Sequence, residues 1–391
     1  MFSNISLFFL WSILTYAVFL ALPDYEARAR QYLLIISSLL LIYMVAPWSA
    51  LVVILVSILG YLWCQHHEVF PDKYKILFVF LTILAPLIAI KLSFGILGRD
   101  GFGFGYLMLS LGVGFYSLKT IATVIDCIQG RAPVDLPTFL LLNVFFPIYS
   151  AGPIERSETF EKITFKRSDA LPLFFDGTQR VLVGLLKAVF IADVLVGGAL
   201  KTHWPNIATD MTNHSTASLL LFIFMKFIYT YVNFSGYMDI VIGISNWFGF
   251  RIMENFNFPI IAGNIQQFWQ RWHISLGDFT KKYIFFPLLL TLNIKWRAQV
   301  AIFLAFMLIG IWHEFSWNYF AWGVLHGFGL AMATTLNDIK NTSFKRIRKM
   351  FSYRAAAWAL TIFYVSYIQT IANMPNIQSA WLLTKTLAWP W

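Results

Sequence analysis

The sequence predicts an all-α polytopic membrane protein with about 11 transmembrane helices and several shorter re-entrant or interfacial helices. Hydrophobic residues make up 59% of the 391 residues, and charged residues make up only 12%, against roughly 25% in ordinary soluble domains. The mean hydropathy of +0.67 agrees with this class. Apolar runs close to the roughly 20 residues that cross a bilayer recur along the chain. We therefore expect a single membrane-embedded domain over residues 1–391.

Charge and cysteine content narrow the function classes further. The net charge of +10 would suggest nucleic-acid binding in a soluble chain. In a membrane protein it indicates cytoplasmic loops enriched in Lys and Arg, so no nucleic-acid partner is predicted. Cys64 and Cys127 lie next to or within apolar runs and provide neither a disulfide framework nor a metal pattern, so no metal site is predicted. The first apolar run lacks a basic segment before it, which favours a retained span over a signal peptide.

The apolar runs predict the spans and the charged loops predict their orientation. In chain order the runs are 5–22, 31–45, 48–64, 76–97, 104–123, 136–150, 180–200, 216–248, 298–312, 317–335 and 354–372, followed by a shorter piece at 379–390. The run 216–248 is too long for one straight crossing, so we expect it to be tilted, broken or extended beyond the lipid. The charged stretches 155–167 and 340–354 are typical of cytoplasmic loops, whereas 202–215, which has no Lys or Arg, suits the outer side.

Residues 257–297 form a segment that is too polar to span. Its charged and amide side chains alternate with aromatic ones, and Pro259 and Pro287 lie near its two ends. Polar backbone at membrane depth is tolerated only where it is buried in protein or lines a wet cavity. The pattern therefore predicts short helices at the cytoplasmic interface, with His273 at the floor of a cavity.

Two Trp-His pairs, Trp272-His273 and Trp312-His313, stand in apolar surroundings, where ionisable groups are costly and rare unless they serve a site. Five motifs surround them in order: Phe115-Tyr116-Ser117 with Asp126, Ala151-Gly152-Pro153-Ile154, FSGYMDIVIGISNWFGFRIMENFNFP at 234–259, FWQRWHISL at 268–276, and GIWHEFSWNYFAWGVLHG at 310–327. Over residues 115–327 the chain resembles the membrane-bound O-acyltransferase family, and within it the bacterial alginate O-acetylase branch.

The resemblance implies a ring of tilted helices around a central funnel, with the active site inside the membrane. It implies transfer of an acyl group, most simply acetyl, from a cytoplasmic thioester donor to hydroxyls of a cell-envelope polysaccharide. The donor would be acetyl-CoA or an acyl carrier protein, with no bound cofactor. The location implied is the bacterial cytoplasmic (inner) membrane, where the protein contacts membrane lipid and works with an extracytoplasmic partner transferase.

The chain departs from the family pattern at two places, which keeps alternatives open. Glu314 stands where the family has Gly after the essential Trp-His, and the stretch PLLLTLNIKWR replaces a glycine-containing motif. The second departure is similar to the D-alanyl transferases of teichoic acid, which are fed by a carrier protein, whereas Asp239 in SGYMD matches the acetylases. An alternative of another class is a proton-coupled transporter with Asp239, His273 and His313 as a relay, but the sequence shows no repeated broken helices.

The resemblance assigns different roles to the two histidines. The family's essential histidine maps onto His313 and its supporting polar position onto His273. Acyl transfer from a thioester to an alcohol needs a base for the hydroxyl proton and stabilisation of the oxyanion. A neutral imidazole at His313 can accept that proton; the alternative is a structural histidine bonded to a carbonyl. His273 can position a substrate or stabilise the oxyanion; the alternative is an interfacial side chain beside Arg271.

Six residues near these histidines are predicted to contact substrate or to support the site: Asp239, Trp272, Trp312, Glu314, Arg271 and Ser275. Asp239 lies inside a long apolar run, and a buried carboxylate needs a partner. Arg251 or one of the histidines is the expected partner. A polar clamp between two helices is as good an interpretation of Asp239 as a role in catalysis.

Two further predictions concern the mechanism and a third histidine. Ser275 and Ser316 lie near the key histidines in sequence, which raises a covalent acyl-enzyme as an alternative. Neither serine stands in a recognised nucleophile turn, so direct transfer is preferred. His326 follows His313 by thirteen residues, roughly three and a half turns of a continuous helix. We therefore expect it to lie well away from His313 and to be structural.

Overall fold

The computed structural model describes residues 5–71, 74–97, 112–131, 134–161, 165–337, 347 and 350–389. About 82% of the structure is helical. Within the described ranges the β-pairing consists of one isolated bridge, between Phe256 and Trp272. The predicted all-α class is confirmed.

Helices follow one another through the described ranges. They are α1 Ile5–Ala21, α2 Ala27–Val45, α3 Pro47–His66, α4 Lys75–Leu97, α5 Val113–Ile128, α6 Leu136–Val144, α7 Ala170–Leu185, α8 Gly197–His203, α9 Ile207–Asp210, α10 Thr216–Trp247, α11 Ile265–Trp269, α12 Ile274–Thr280, α13 Phe286–Thr291, α14 Arg297–His313, α15 Trp317–Asn337, α16 Phe351–Asn373 and α17 Ile377–Ala388. Two stretches of π-helix, Leu186–Val196 and Lys281–Phe285, continue α7 and α12.

Several of these helices are long and apolar enough to cross a membrane. Among the described residues the qualifying runs are Ala27–Val45, Pro47–Val69, Arg167–Asn213, Thr216–Trp247 and Phe351–Asn373. Three shorter apolar helices are Ser6–Ala21, Lys75–Ala89 and Arg297–His313. These runs confirm the helical membrane class, while the expected total of about 11 spans stays a prediction.

Two predicted spans differ from the helices that form. The run 216–248 is one unbroken helix of 32 residues, about 48 Å long. This length exceeds the roughly 30 Å hydrocarbon core. Because the helix is continuous, it is not broken, and the expectation that remains is tilt or extension beyond the lipid. The run 136–150 gives only the nine residues of α6, too few to cross, because a 3₁₀ turn that contains Pro147 follows.

Some predicted segments fall partly outside the described residues. Residues 104–111 of the predicted span 104–123 lie outside them, and the described helix starts at Val113. Most of the basic stretch 340–354 lies outside them as well.

The chain divides into two compact units. Unit 1 comprises Met1–Gly184 and Met238–Met253, and unit 2 comprises Leu185–Tyr237 and Glu254–Trp391. In unit 1 the buried guanidinium of Arg30 donates to the carbonyls of Leu22 and Phe165 and to Asp24. The fully buried ammonium of Lys119 donates to two other carbonyls. Buried charged groups need hydrogen-bond partners. In unit 1 the partners of these two cations are mainly backbone carbonyls, so the cations crosslink separate stretches of the chain.

Unit 2 is built on a close hairpin of α14 and α15. A Cβ on Gly310 would lie 2.4 Å from the carbonyl oxygen of Tyr319, and a Cβ on Gly323 would lie 2.6 Å from that of Phe306. Small residues of this kind let membrane helices approach with their backbones almost in contact. The hairpin fixes His313, the last residue of α14, against the first turns of α15.

Candidate active site

The polar segment between α10 and α14 begins with a short pairing of two chain stretches. The amide of Asn257 donates to the carbonyl of Arg271 at 2.9 Å, and the amide of Ile274 donates to the carbonyl of Asn255 at 3.0 Å. The side-chain oxygen of Asn255 accepts from both the amide and the hydroxyl of Ser275, each at 3.0 Å. These bonds close a loop that holds His273 between two paired residues.

His273 has a backbone conformation that is uncommon for its residue type. Its φ is +47°, in the left-handed region that costs a non-glycine residue about 1–2 kcal/mol. It precedes α12, and its carbonyl accepts from the amide of Gly277 at 3.0 Å. The side chain is buried with its ring 5.2 Å from that of Phe234. Burial lowers the pKa of His273 to about 4, so its imidazole is neutral at ordinary pH.

Side chains of α15 and α16 fix the polar segment in place. The hydrogen bonds are Gln266 Nε2 to Thr334 Oγ1 at 3.2 Å, Trp269 Nε1 to His326 Nδ1 at 3.3 Å, and Trp358 Nε1 to the carbonyl of Ile260 at 2.8 Å. Short helices such as the five-residue α11 are not stable alone, so these bonds and the aromatic packing determine where the segment lies.

His313 lies at the end of α14 inside a group of aromatic rings. Its half-buried imidazole is 4.8 Å from the ring of Trp312, 5.6 Å from that of Tyr319 and 5.2 Å from that of Trp322. The amide of Glu314, the next residue, donates the last hydrogen bond of the helix to the carbonyl of Gly310 at 3.3 Å, and the extended backbone of Glu314 ends α14. The imidazole is therefore held by ring packing while part of it stays accessible.

Aromatic packing connects His313 to the chain segment that carries His273. The ring of Trp322, which packs on His313, is 5.7 Å from that of Trp269, and Trp269 is four residues before His273 in the chain. Both histidines belong to unit 2. That the two histidines serve one site stays a prediction. The ring contacts of Trp322 with His313 and Trp269 are consistent with it.

A cavity of about 510 Å³ lies beside this aromatic group. Its lining includes the apolar Trp269, Phe306 and Ile309 and the polar Gln270, Asp278 and Lys281. The imidazoles of His273 and His313 are not part of the lining, although Trp269 and Ile274 are. The cavity thus adjoins the predicted site and offers both apolar and charged walls.

Three of the other predicted site residues take part in packing and local bonding. The ring of Trp272 lies nearly parallel to that of Phe268 at 5.5 Å, within a buried cluster of unit 2. The guanidinium of Arg271 donates to the carbonyl of Asn257 at 2.9 Å. The hydroxyl of Ser275 is bound to an amide oxygen rather than to a base, which gives no support to the covalent alternative.

Asp239 lies in unit 1, where it accepts a hydrogen bond from Nε of Arg180 at 3.1 Å. Arg180 is 59 positions away in sequence and was not among the expected partners, which were Arg251 and the histidines. The pair joins α7 to α10, which favours the polar clamp between two helices. Within the described residues no group of three or more His, Cys, Asp or Glu side chains could hold a metal ion.

His326, which was expected to lie well away from His313, is linked to it through the intervening ring of Trp322. The chain turns back at residues 314–316, so His326 lies on the second helix of the hairpin, with its ring 4.7 Å from that of Trp322. The thirteen-residue separation had assumed a continuous helix. The i, i+4 spacing of Trp322 and His326 was the available signal, since such pairs contact each other on a helix.

Comparison with known proteins identifies the family. The family model of MBOAT, the membrane-bound O-acyltransferase family, matches residues 129–381. The chain is 30% identical over 292 residues to the probable alginate O-acetylase AlgI of Pseudomonas aeruginosa, covering 74% of this chain and 54% of that protein. It is 27% identical over 366 residues to the peptidoglycan O-acetyltransferase of Helicobacter pylori, covering 82% and 66%.

A third relative belongs to the other branch considered above. The teichoic acid D-alanyltransferase of Bacillus subtilis is 29% identical over 228 residues, covering 55% of this chain and 56% of that protein. The chain spans about half the length of the alginate O-acetylases that it matches. The resemblance seen in the motifs of residues 115–327 is confirmed by these matches, and the chain belongs to the membrane-bound O-acyltransferase family.

Proposed function

We propose that this protein transfers an acyl group, in the first place acetyl, from a thioester donor to hydroxyls of a cell-envelope polysaccharide. The observation that carries the proposal is the half-buried imidazole of His313, which aromatic rings hold at the end of α14. A base for an alcohol must be fixed in place and must still be reachable by the substrate. The names of the acetylating relatives support acetyl transfer to an envelope polymer.

The proposed reaction is a direct transfer. The neutral imidazole of His313 takes the proton of the acceptor hydroxyl while the hydroxyl oxygen attacks the thioester carbonyl. The tetrahedral intermediate then expels the thiolate as the C–S bond breaks, and the imidazolium returns the proton to the sulfur. The products are an ester and a free thiol, and the histidine ends in its starting form.

His273 acts on the donor side in this proposal. Its buried imidazole is neutral and so keeps one N–H that can donate to the developing oxyanion or to the donor. Its left-handed backbone and two hydrogen bonds that flank it in the chain, from Asn257 to Arg271 and from Ile274 to Asn255, restrict its position. Such fixed donors stabilise developing charge better than mobile ones. Arg271, Trp272 and Ser275 would then support the loop rather than contact substrate.

The donor's arm would occupy the cavity beside Trp269. The apolar wall suits the chain of a thioester-bearing arm, and Lys281 and Gln270 suit its polar groups. Lys295 and Arg297 lie at the start of α14, which supports a cytoplasmic position for this end of the helix by the positive-inside rule. The donor would thus be acetyl-CoA or an acyl carrier protein in the bacterial cytoplasm.

His313 then lies at the opposite, outer end of α14, where the acceptor polymer would arrive. A partner transferase outside the membrane would receive or present that polymer. Trp312 would border the acceptor there. We also propose that residues 1–391 form a single domain and that the site lies in a central funnel.

D-alanyl transfer is the second candidate, and Glu314 is the observation that favours it. A carboxylate next to His313 would attract the ammonium group of a D-alanyl thioester but gives no advantage to an acetyl group. The teichoic acid D-alanyltransferase among the relatives supports the same candidate. Identifying the acyl group that mild base releases from the envelope polymer distinguishes the two.

The central test replaces the proposed base. His313→Gln keeps a polar side chain of similar length but removes the basic nitrogen, so base-released acyl groups should disappear while the protein inserts normally. The control is His203→Gln, an exposed histidine outside the proposed site, which should leave acylation unchanged. Normal acylation in the His313→Gln protein would overturn the proposed role of His313.

A further inference from the structure

His326 makes one directed contact in the buried part of unit 2. It is 2% exposed, and its Nδ1 accepts a hydrogen bond from the indole N–H of Trp269 at 3.3 Å. The two rings are 5.0 Å apart and nearly perpendicular, at 87°. Since Nδ1 is the acceptor, the proton of the neutral imidazole is on Nε2. His326 therefore fixes the rotation of the Trp269 indole.

Trp322 lies between this pair and His313. Its ring is 4.7 Å from that of His326, 5.2 Å from that of His313 and 5.7 Å from that of Trp269. Phe306 lies against the group from α14, with its ring 4.8 Å from that of Trp269. Interiors packed at this density leave no room for one ring to turn without displacing its neighbours.

The hydrogen bond of His326 is not needed to hold the helices together. The hydroxyl of Tyr364 donates to the carbonyl of Leu325, the neighbour of His326, at 2.6 Å and so joins α16 to α15. Gln266 independently joins α11 to α15 through Thr334. What His326 adds is the orientation of the Trp269 indole and, through ring contact, of Trp322.

We propose that His326 is a positioning residue for acyl transfer: by orienting Trp269 and Trp322 it holds the imidazole of His313 in the rotation that receives the hydroxyl proton. The proposal rests on the proposed function, because it assigns a role within that reaction. It also connects the base to α11, which borders the proposed donor cavity. His326 itself touches neither substrate.

The variants that test it separate the hydrogen bond from the packing. His326→Asn places a side-chain oxygen near the position of Nδ1 and keeps an acceptor for Trp269, whereas His326→Leu fills the space without one. Trp269→Phe removes the same hydrogen bond from the donor side. Tyr364→Phe is the matched control, since it removes the neighbouring bond to Leu325 and keeps the ring.

Turnover at saturating donor and acceptor should fall at least about tenfold in His326→Leu, because displacing reacting groups by about 1 Å can cost two orders of magnitude. The apparent KM for the acceptor should change little. His326→Asn should restore most of the rate, and Tyr364→Phe should keep it. The double variant His326→Leu/Trp269→Phe should be no slower than the slower single variant, since both remove one interaction.

A second measurement does not depend on activity. In protein labelled with 5-fluorotryptophan, the ¹⁹F resonances of Trp269 and Trp322 are assigned from the Trp→Phe variants. Both should move in His326→Leu, and that of Trp322 should also move in His313→Gln, whereas Tyr364→Phe should leave them in place.

Each outcome has one meaning. Equal turnover in wild type and His326→Leu, with an active wild type, would overturn the inference and leave the proposed function standing. Equal losses in His326→Asn and His326→Leu, or unmoved ¹⁹F resonances, would also overturn it. An inactive wild-type protein with donor and acceptor present would overturn the proposed function, and the inference with it.

Discussion

Replacing Gly323 by Ala tests how closely the α14–α15 hairpin must pack. The added Cβ would lie 2.6 Å from the carbonyl oxygen of Phe306 and 3.1 Å from the Cα of Met307. Both are backbone atoms, which cannot swing aside as a flexible side chain can. To reach an ordinary contact of 3.4 Å the helices must separate by about 0.8 Å.

The energetic result combines two opposing effects. Overpacking of this kind costs about 1–3 kcal/mol, and the better helix propensity of Ala returns about 1 kcal/mol. We therefore expect Gly323→Ala to lower the free energy of unfolding by about 1 kcal/mol. The effect on catalysis should be larger, because Trp322 adjoins the substituted position, and displacement of reacting groups by about 1 Å can cost 100-fold in rate.

The assay compares unfolding midpoints in detergent with acyl-transfer rates per folded protein. Gly198→Ala is the matched control: this glycine also lies in a helix, and its added Cβ meets nothing within 4 Å. It should be neutral or stabilising by up to about 1 kcal/mol. A Gly323→Ala protein with wild-type midpoint and rate would refute the reasoning, because it would mean that the hairpin can separate without consequence.

Two further predictions concern stability. Burial lowers the pKa of His273 from 6.5 to about 4. Between these pH values the unfolded chain binds a proton that the folded protein does not. The free energy of unfolding therefore falls as the pH drops. His273→Gln should flatten that slope in unfolding midpoints measured from pH 7 to 4, and an unchanged slope would contradict the assignment. Asn318→Leu removes the bonds of Asn318 Nδ2 to the carbonyls of Ile371 and Met374, at 3.1 and 2.7 Å, and should cost about 1–3 kcal/mol. A midpoint equal to that of wild type would show that the two carbonyls need no protein donor.

The sequence was sufficient to predict most helices because hydropathy over 20 residues is a local property. The predicted spans 76–97 and 317–335 correspond to Lys75–Leu97 and Trp317–Asn337. The polar segment 257–297 was predicted to form short helices, and α11, α12 and α13 lie within it. Length and polarity alone distinguished spanning helices from this segment.

The partners of the polar side chains could not be predicted in the same way. Trp269 and His326 are 57 positions apart, and periodicity indicates which face of a helix is buried, not which ring it meets. The turn between α14 and α15, which puts His326 on the second helix of the hairpin, did have a local signal. Ser316 accepts from the amide of Tyr319 at 3.4 Å, and serine is a preferred residue at helix starts. An N-cap at Ser316 agrees with the separate spans predicted at 298–312 and 317–335, so the break before His326 was predictable from the sequence, whereas its bond to Trp269 was not.

Asp193 shows a limit of periodicity itself. In an α-helix Leu186, Phe190 and Asp193 would share one face, and the first two are more than half exposed apolar residues. A 3.6-residue period therefore predicts a carboxylate on an apolar outer face, where its cost is high. Residues Leu186–Val196 have π-helical winding, and Asp193, which remains exposed, accepts hydrogen bonds from Tyr229 at 2.9 Å and Asn233 at 3.3 Å. These two donors offset part of the cost of a carboxylate among apolar side chains, so the tertiary partners of Asp193, which periodicity does not reveal, explain why this face tolerates a charge.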